Sequence, residues 1–313
     1  MALPPKFWFK LQKLKTAFRS ALSAGEQSYE TALRMCPSCR GLIDRGASVC
    51  PLCGAPTKPP RSRAGTGSGS GRVLGGLIAV PSTATSALIA VNVGLYFLSW
   101  YLTQAAASAE LASAPGMGGI RNDVLVRLGA KYGPAMLFGH QWWRLVTAIF
   151  LHADLLHIGM NLWCLFDLGP AVESLFGTAK FLVIYLVTGV VGFLLSLWWS
   201  PYGLSIGASG AVLGLIGVLI GVSFHHGGLG KAYRGQLWRW VMYIFIFGLF
   251  FAVDNAAHAG GLLSGLVLGY AIPEGEPETR ASENLWNALA VLSVLVIAGS
   301  FVLMALQLNR PLR

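Results

Sequence analysis

The sequence predicts an all-α membrane protein, a bundle of seven transmembrane spans preceded by a small cysteine-bearing module outside the bilayer. Three observations predict it. Hydrophobic residues make up 54% of the 313 and charged residues only 12%, with a mean hydropathy of +0.60, far from the balance of a soluble domain. Seven apolar runs, near 84–104, 151–171, 180–200, 204–222, 238–254, 256–272 and 285–306, are long enough or nearly so to cross hydrocarbon ~30 Å thick. Two Cys-x2-Cys pairs lie close together ahead of the first run.

Residues 1–30 read as a basic amphipathic segment. Phe7, Leu11, Leu14, Phe18 and Leu22 share one helical stripe, with Lys6, Lys10, Lys13 and Arg19 around it. That pattern suits a helix lying in an anionic interface, or one packing on the next module. It lacks the long apolar core and small-residue cleavage site of a signal peptide, so it is expected to be retained. Residues 31–56 carry Cys36-Pro-Ser-Cys39 and, ten residues later, Cys50-Pro-Leu-Cys53. Each knuckle points two thiolates at one tetrahedral ion, so the spacing predicts a zinc ribbon holding a structural Zn2+. Two disulfides are the alternative, which the reducing side expected for the basic N-terminus disfavours. Four thiolates leave no open position for water, so the site predicts no catalysis, and none of the chemistry below calls on a cofactor. Cys164, inside an apolar run, reads as a small buried hydrophobe. Residues 57–75, rich in Pro, Gly and Ser, form a flexible linker to the membrane domain, 76–313.

Charge orients the chain. Residues 1–72 hold twelve of the 23 lysines and arginines against Glu26, Glu30 and Asp44, which places the N-terminus on the cytoplasmic side and gives no reason to expect nucleic acid. The 223–237 loop, with Lys231 and Arg234, then falls on the same side; the acidic 274–283 loop falls there too and opposes the rule weakly. Spans two, four and six therefore all run inward from the outer face. His157 and Asn161, Ser209, and His258 each sit near the beginning of one of them. Ser209, five residues into its span, comes on the order of 8 Å below the outer mouth at ~1.5 Å per residue, with His258 slightly shallower.

Small residues predict that two of these spans touch. Gly210, Gly214, Gly217 and Gly221 on span four face a stripe of Ala257, Gly261, Gly265 and Gly269 on span six. Such faces let backbones meet, which sets Ser209 beside His258. A serine hydroxyl becomes a nucleophile when a base takes its proton, and a neutral imidazole does this near pH 7 and then protonates a leaving amine. His157 and Asn161, at i and i+4, face one direction and with the Ser209 N–H could bind the resulting oxyanion. Asp254, one turn before His258, is either its orienting acid or a solvated loop carboxylate.

At these residues the sequence resembles the rhomboid family of intramembrane serine proteases. The matching pieces are Trp143-Arg144, His152-Ala-Asp-Leu-Leu-His157-Ile-Gly-Met-Asn161, Gly169-Pro-Ala-Val-Glu173-Ser-Leu-Phe-Gly177, Gly207-Ala-Ser209-Gly210 and Ala257-His258-Ala-Gly-Gly-Leu-Leu-Ser-Gly265, in the family's order over about 84–272. The resemblance implies a six-helix bundle, to which span seven, about 285–306, is an addition. It implies a Ser209–His258 dyad without an acid, an oxyanion hole from His157, Asn161 and the Ser209 amide, and a half-buried loop between spans one and two. Glu173 would bind freed backbone or hydroxyl groups, and His152 would be a structural hydrogen-bonding residue. Trp143 and Arg144 would anchor at the interface or brace the loop. Leu213 stands where some members place a tyrosine that stacks on the histidine. The implied partners are transmembrane protein substrates, cut near the outer end of their helices, and the lipid bilayer; a cytosolic partner would belong to the zinc ribbon. The alternative function is a catalytically inactive relative that binds and escorts membrane proteins. A bacterial inner membrane is the expected location, with the active site opening to the outer side.

Overall fold

The computed structural model describes residues 33–35, 42–44, 53–54, 82–109, 119–250, 253–275, 277 and 279–308. The chain divides into two compact units, Met1–Gly69 and Ser70–Arg313. In the first, β1 (Leu33–Met35) pairs antiparallel with β2 (Leu42–Asp44), Leu33 opposite Asp44 and Met35 opposite Leu42. The first Cys-x2-Cys thus lies in sequence between the two strands of a hairpin. Cys53 is exposed in a turn ahead of Gly54, whose φ of +70° suits glycine. The expected amphipathic segment 1–30, the linker 57–75, and Cys36, Cys39 and Cys50 lie outside the described residues.

The second unit is the helical bundle the composition predicts. Its long helices are α1 (Thr83–Ala109), α5 (Leu155–Trp199), α6 (Ser209–Ser223), α7 (Gly227–Phe250), α8 (Asn255–Ala271) and α9 (Arg280–Gln307). Between α1 and α5 the chain folds into short helices α2 (Asn122–Arg127), α3 (Gly133–Leu137) and α4 (Arg144–Thr147). Among the described residues α1 over Thr83–Ala107, α5 and α9 are long and apolar enough to cross a membrane, and α6 is a shorter apolar helix. Spans two and three both fall in α5, which Gly177 breaks with φ 79° and ψ 160°, a conformation outside the helical region.

α6 is the centre of the bundle. Every residue from Gly210 to Ser223 is buried, as befits a helix apolar on all sides. Against α8 the two backbones touch: a Cβ built on Gly261 would lie 1.9 Å from the Gly210 carbonyl oxygen, one on Gly265 2.0 Å from that of Gly214, and one on Gly269 2.2 Å from that of Val218. Gly265→Leu is therefore expected to destabilise the bundle by about 1–3 kcal/mol or more through overpacking. Gly299→Leu on α9, where a Cβ meets nothing within 4 Å, is expected to be neutral. Thermal unfolding in detergent compares the two.

Two element boundaries differ from the sequence reading. Span four does not begin at 204: Leu204–Ser205 form strand β4, paired antiparallel with β3 (Lys131–Tyr132), and Gly207 at φ +122° turns the chain before α6 starts at Ser209. Ser209 is thus the first residue of its helix and not one turn inside it, because a positive φ cannot continue a right-handed helix. The 223–237 loop is also mostly helical. α7 already begins at Gly227, and Arg234 reaches back from it to donate 2.6 Å to the Ser223 carbonyl at the end of α6, satisfying a terminal acceptor with a cation.

The additional helix α9 is tied down along its length. Lys180 of α5 donates at 2.9 Å to the carbonyls of Pro273 and Gly275 in the preceding connector, with Trp286 of α9 over its ammonium at 5.8 Å. Farther along, Phe301 meets the edge of Phe150 at 5.7 Å between centroids.

Candidate active site

Two helices deliver the central pair. Ser209 opens α6, and His258 stands in the first turn of α8, almost fully buried. The glycine contact that begins at Gly210 and Gly261 holds these helix ends together, and His258 Nε2 lies 2.8 Å from Ser209 Oγ. For the hydroxyl to donate to Nε2, the imidazole must be neutral and carry its proton on Nδ1. Nδ1 is buried and makes no hydrogen bond among the described residues.

Asp254 is neither the orienting acid nor a solvated carboxylate. One of its oxygens accepts from the Ala257 N–H at 2.9 Å, capping α8, and the other accepts from the Ser196 hydroxyl. Those bonds turn it away from the imidazole. What packs on the imidazole is Phe245 of α7, edge-on at 6.1 Å and 78°, while Leu213 is buried in α6.

The second cluster approaches through Gly207. Asp154 caps α5 by accepting from the His157 N–H at 2.8 Å, and His157 Nδ1 accepts from the Ala153 N–H at 3.4 Å. That bond leaves the ring proton on Nε2. A Cβ on Gly207 would sit 2.7 Å from His157 Nε2 and 3.8 Å from Ser209 Oγ, so the missing side chain is what opens the space between them. The Gly207 N–H donates 2.9 Å to the Ala148 carbonyl, tying the serine turn to the segment just before His157. Asn161 is buried with its amide donating 3.0 Å to the His157 carbonyl, which leaves its second N–H. As the first residue of α6, Ser209 has a backbone N–H in the turn that lacks intrahelical acceptors, at the positive end of the helix dipole.

The flanking residues hold backbone. Arg144 is buried and donates to the carbonyls of Val126 (2.7 Å) and Ala130 (3.0 Å) and to the Gln141 side chain (2.7 Å), with its guanidinium 4.8 Å over the Trp143 ring. This is loop bracing and not interfacial anchoring. Glu173 accepts from the N–H groups of Ala84 and Thr85 and the hydroxyls of Ser82, Thr85 and Thr178, capping α1. His152 is fully buried, and its ring packs edge-on against His157 at 5.0 Å.

Residues 139–274 match the family model described as the Rhomboid domain. These residues form a domain of the rhomboid family. Rhomboid protease GluP of Bacillus subtilis (strain 168) is 34% identical over 185 residues, 57% of this chain and 35% of that protein. RHOMBOID-like protein 6, mitochondrial, of Arabidopsis thaliana is 32% identical over 203 residues, 58% and 65% respectively. Rhomboid protease AarA of Providencia stuartii is 29% identical over 250 residues, 72% and 82%. This rhomboid therefore spans from about a third to about two thirds of the length of the first two curated relatives. With its apolar helices, it is an integral membrane protein.

Several residues of this rhomboid's site escaped the sequence reading. Gly207 stood in a matching motif, but its positive φ depends on the β3–β4 pairing, made between segments about seventy residues apart. Phe245 carries no signal, since a phenylalanine facing a histidine and one facing lipid look alike in an apolar helix.

Proposed function

We propose that this rhomboid is an intramembrane serine endopeptidase that cleaves transmembrane helices of membrane-protein substrates through a Ser209–His258 dyad. The observation that carries this reading is the 2.8 Å contact between Ser209 Oγ and His258 Nε2. In the reaction Ser209 Oγ attacks the scissile carbonyl while its proton passes to His258 Nε2. Negative charge then develops on the carbonyl oxygen beside Gly207, where His157 Nε2–H, the Ser209 N–H and the free Asn161 N–H converge as donors. His258 returns the proton to the leaving amine, and water activated by the same imidazole hydrolyses the acyl-serine. With no acid on Nδ1, the ring is oriented by packing, Phe245 included.

The N-terminus lies in the cytoplasm, and the site opens toward the outer face of a bacterial inner membrane, so substrates are cut near their outer ends; the basic residues of 1–72 support this orientation. A binder that only escorted membrane proteins would have no use for the serine, the imidazole and the donors around Gly207 together. Quantitative membrane proteomics of cells carrying wild type or Ser209→Ala tests the function. Uncut single-span proteins are expected to accumulate with the variant; identical profiles would favour the escort.

The structural zinc belongs to the N-terminal unit. Cys36, Cys39, Cys50 and Cys53 would hold it, and the β1–β2 hairpin around the first pair supports a knuckle. Stoichiometric zinc is expected in the purified protein and is expected to be lost in Cys36→Ser/Cys39→Ser, while cleavage in detergent persists. Elemental analysis and a gel assay read the two outcomes.

A further inference from the structure

Outside the dyad, the bundle buries a lysine. Lys131 in β3 is 1% exposed, and its ammonium donates to three carbonyls: Ser196 (3.4 Å) and Ser200 (2.9 Å) at the end of α5, and Gly203 (3.3 Å) in the turn beyond. It thus sits as a cation at the negative end of a helix dipole. Asp254 sits as an anion at the positive end of another, α8, where it caps the Ala257 N–H. Ser196 joins them: its carbonyl accepts from Lys131 while its hydroxyl donates to Asp254. Ser205 is the β4 residue paired with Lys131 in the β3–β4 register.

Each limb of this node leads to one half of the dyad. Ser205 precedes Ser209 by four residues, through Gly207. Asp254 precedes His258 by four, on the same helical turn. The two charges make no direct contact and are joined through Ser196; polar groups drawn into a protein interior contribute little net stability, because desolvation offsets their attraction, and their best-attested use is to fix register. We propose that Lys131 and Asp254, joined through Ser196, form a polar node that sets the register of Ser209 against His258. They are positioning residues: neither touches the reacting atoms. The inference rests on the dyad reading of the site.

The test measures fluorophosphonate labelling of the full-length protein in detergent, resolved into the maximal inactivation rate and the half-saturating probe concentration. Thermal unfolding is followed on the same samples. The variants are Lys131→Met, Asp254→Asn, the double variant and Ser196→Ala, with wild type and Ser209→Ala as references. Each charge-removing single takes one charge and its hydrogen bonds out of the node and leaves the opposite charge uncompensated, so both are expected to melt below wild type. The double variant restores charge balance and is expected to recover most of the melting temperature. Its maximal labelling rate is expected to stay down by about tenfold or more, since a misplacement on the order of 1 Å costs up to about a hundredfold, and half-saturation is expected to be unchanged. Ser196→Ala removes the hydroxyl bonded to Asp254 and leaves both charges in place; it is expected to fold and to label several-fold slower. A purely structural node predicts that labelling recovers with the melting temperature. Wild-type rates in the double variant or in Ser196→Ala would overturn the proposal. Absent labelling of wild type, or labelling that survives in Ser209→Ala, would instead overturn the dyad.

Discussion

Cleavage by His258→Ala is expected to fall by roughly a thousandfold or more, because removing the base removes both the activation of Ser209 and the acid for the leaving amine. The contact is a single hydrogen bond of 2.8 Å, and among the described residues no other imidazole or carboxylate is hydrogen-bonded to Ser209. Asp254 is occupied by Ala257 and Ser196, and His157 Nδ1 is occupied by Ala153. The loss is expected in the maximal rate, with substrate binding preserved, since His258 acts on the reacting atoms and not on the substrate helix. A steady-state assay with a single-span substrate in proteoliposomes separates these. Unchanged turnover in the variant would remove His258 from the chemistry.

Gly207→Ala is expected to be almost as damaging for a different reason. The new methyl would lie 2.7 Å from His157 Nε2, in the space where the developing oxyanion has to sit, and φ of +122° is a conformation that a Cβ strains. Loss of one oxyanion donor typically costs about a hundred- to a thousandfold in turnover, and backbone strain adds on the order of 1–3 kcal/mol of instability. Gly159→Ala on α5 is the matched control. A Cβ there meets nothing within 4 Å, and the change is expected to leave turnover intact and to stabilise the helix by about 0.5–1 kcal/mol. Turnover and melting temperature measured on both variants separate a filled oxyanion site from a general glycine effect.

The bundle was legible in the sequence because its strongest signals are local and repeated. Apolar runs give the helices, and the glycine stripes of α6 and α8 predict the backbone contact that brings Ser209 to His258. Spacing on one helix predicts that His157 and Asn161 share a face. What stayed hidden depends on contacts between distant segments. The β3–β4 pair is two residues long on each side and shows no periodicity, yet it moves the start of α6 to Ser209. Lys131 reads in sequence as an ordinary loop cation; only its acceptors, 65 to 72 residues away, make it a buried cap. Asp254 reads as a loop carboxylate until Ser196 is found against it.

The most direct measurement on the dyad is mass-spectrometric mapping of the adduct formed when the purified protein reacts with a fluorophosphonate. A single phosphonyl group is expected on the peptide containing Ser209 in wild type. It is expected to vanish in Ser209→Ala and to form far more slowly in His258→Ala. A folded wild type that takes up no phosphonyl group, or an adduct that persists in Ser209→Ala, would contradict a nucleophilic serine at the head of α6.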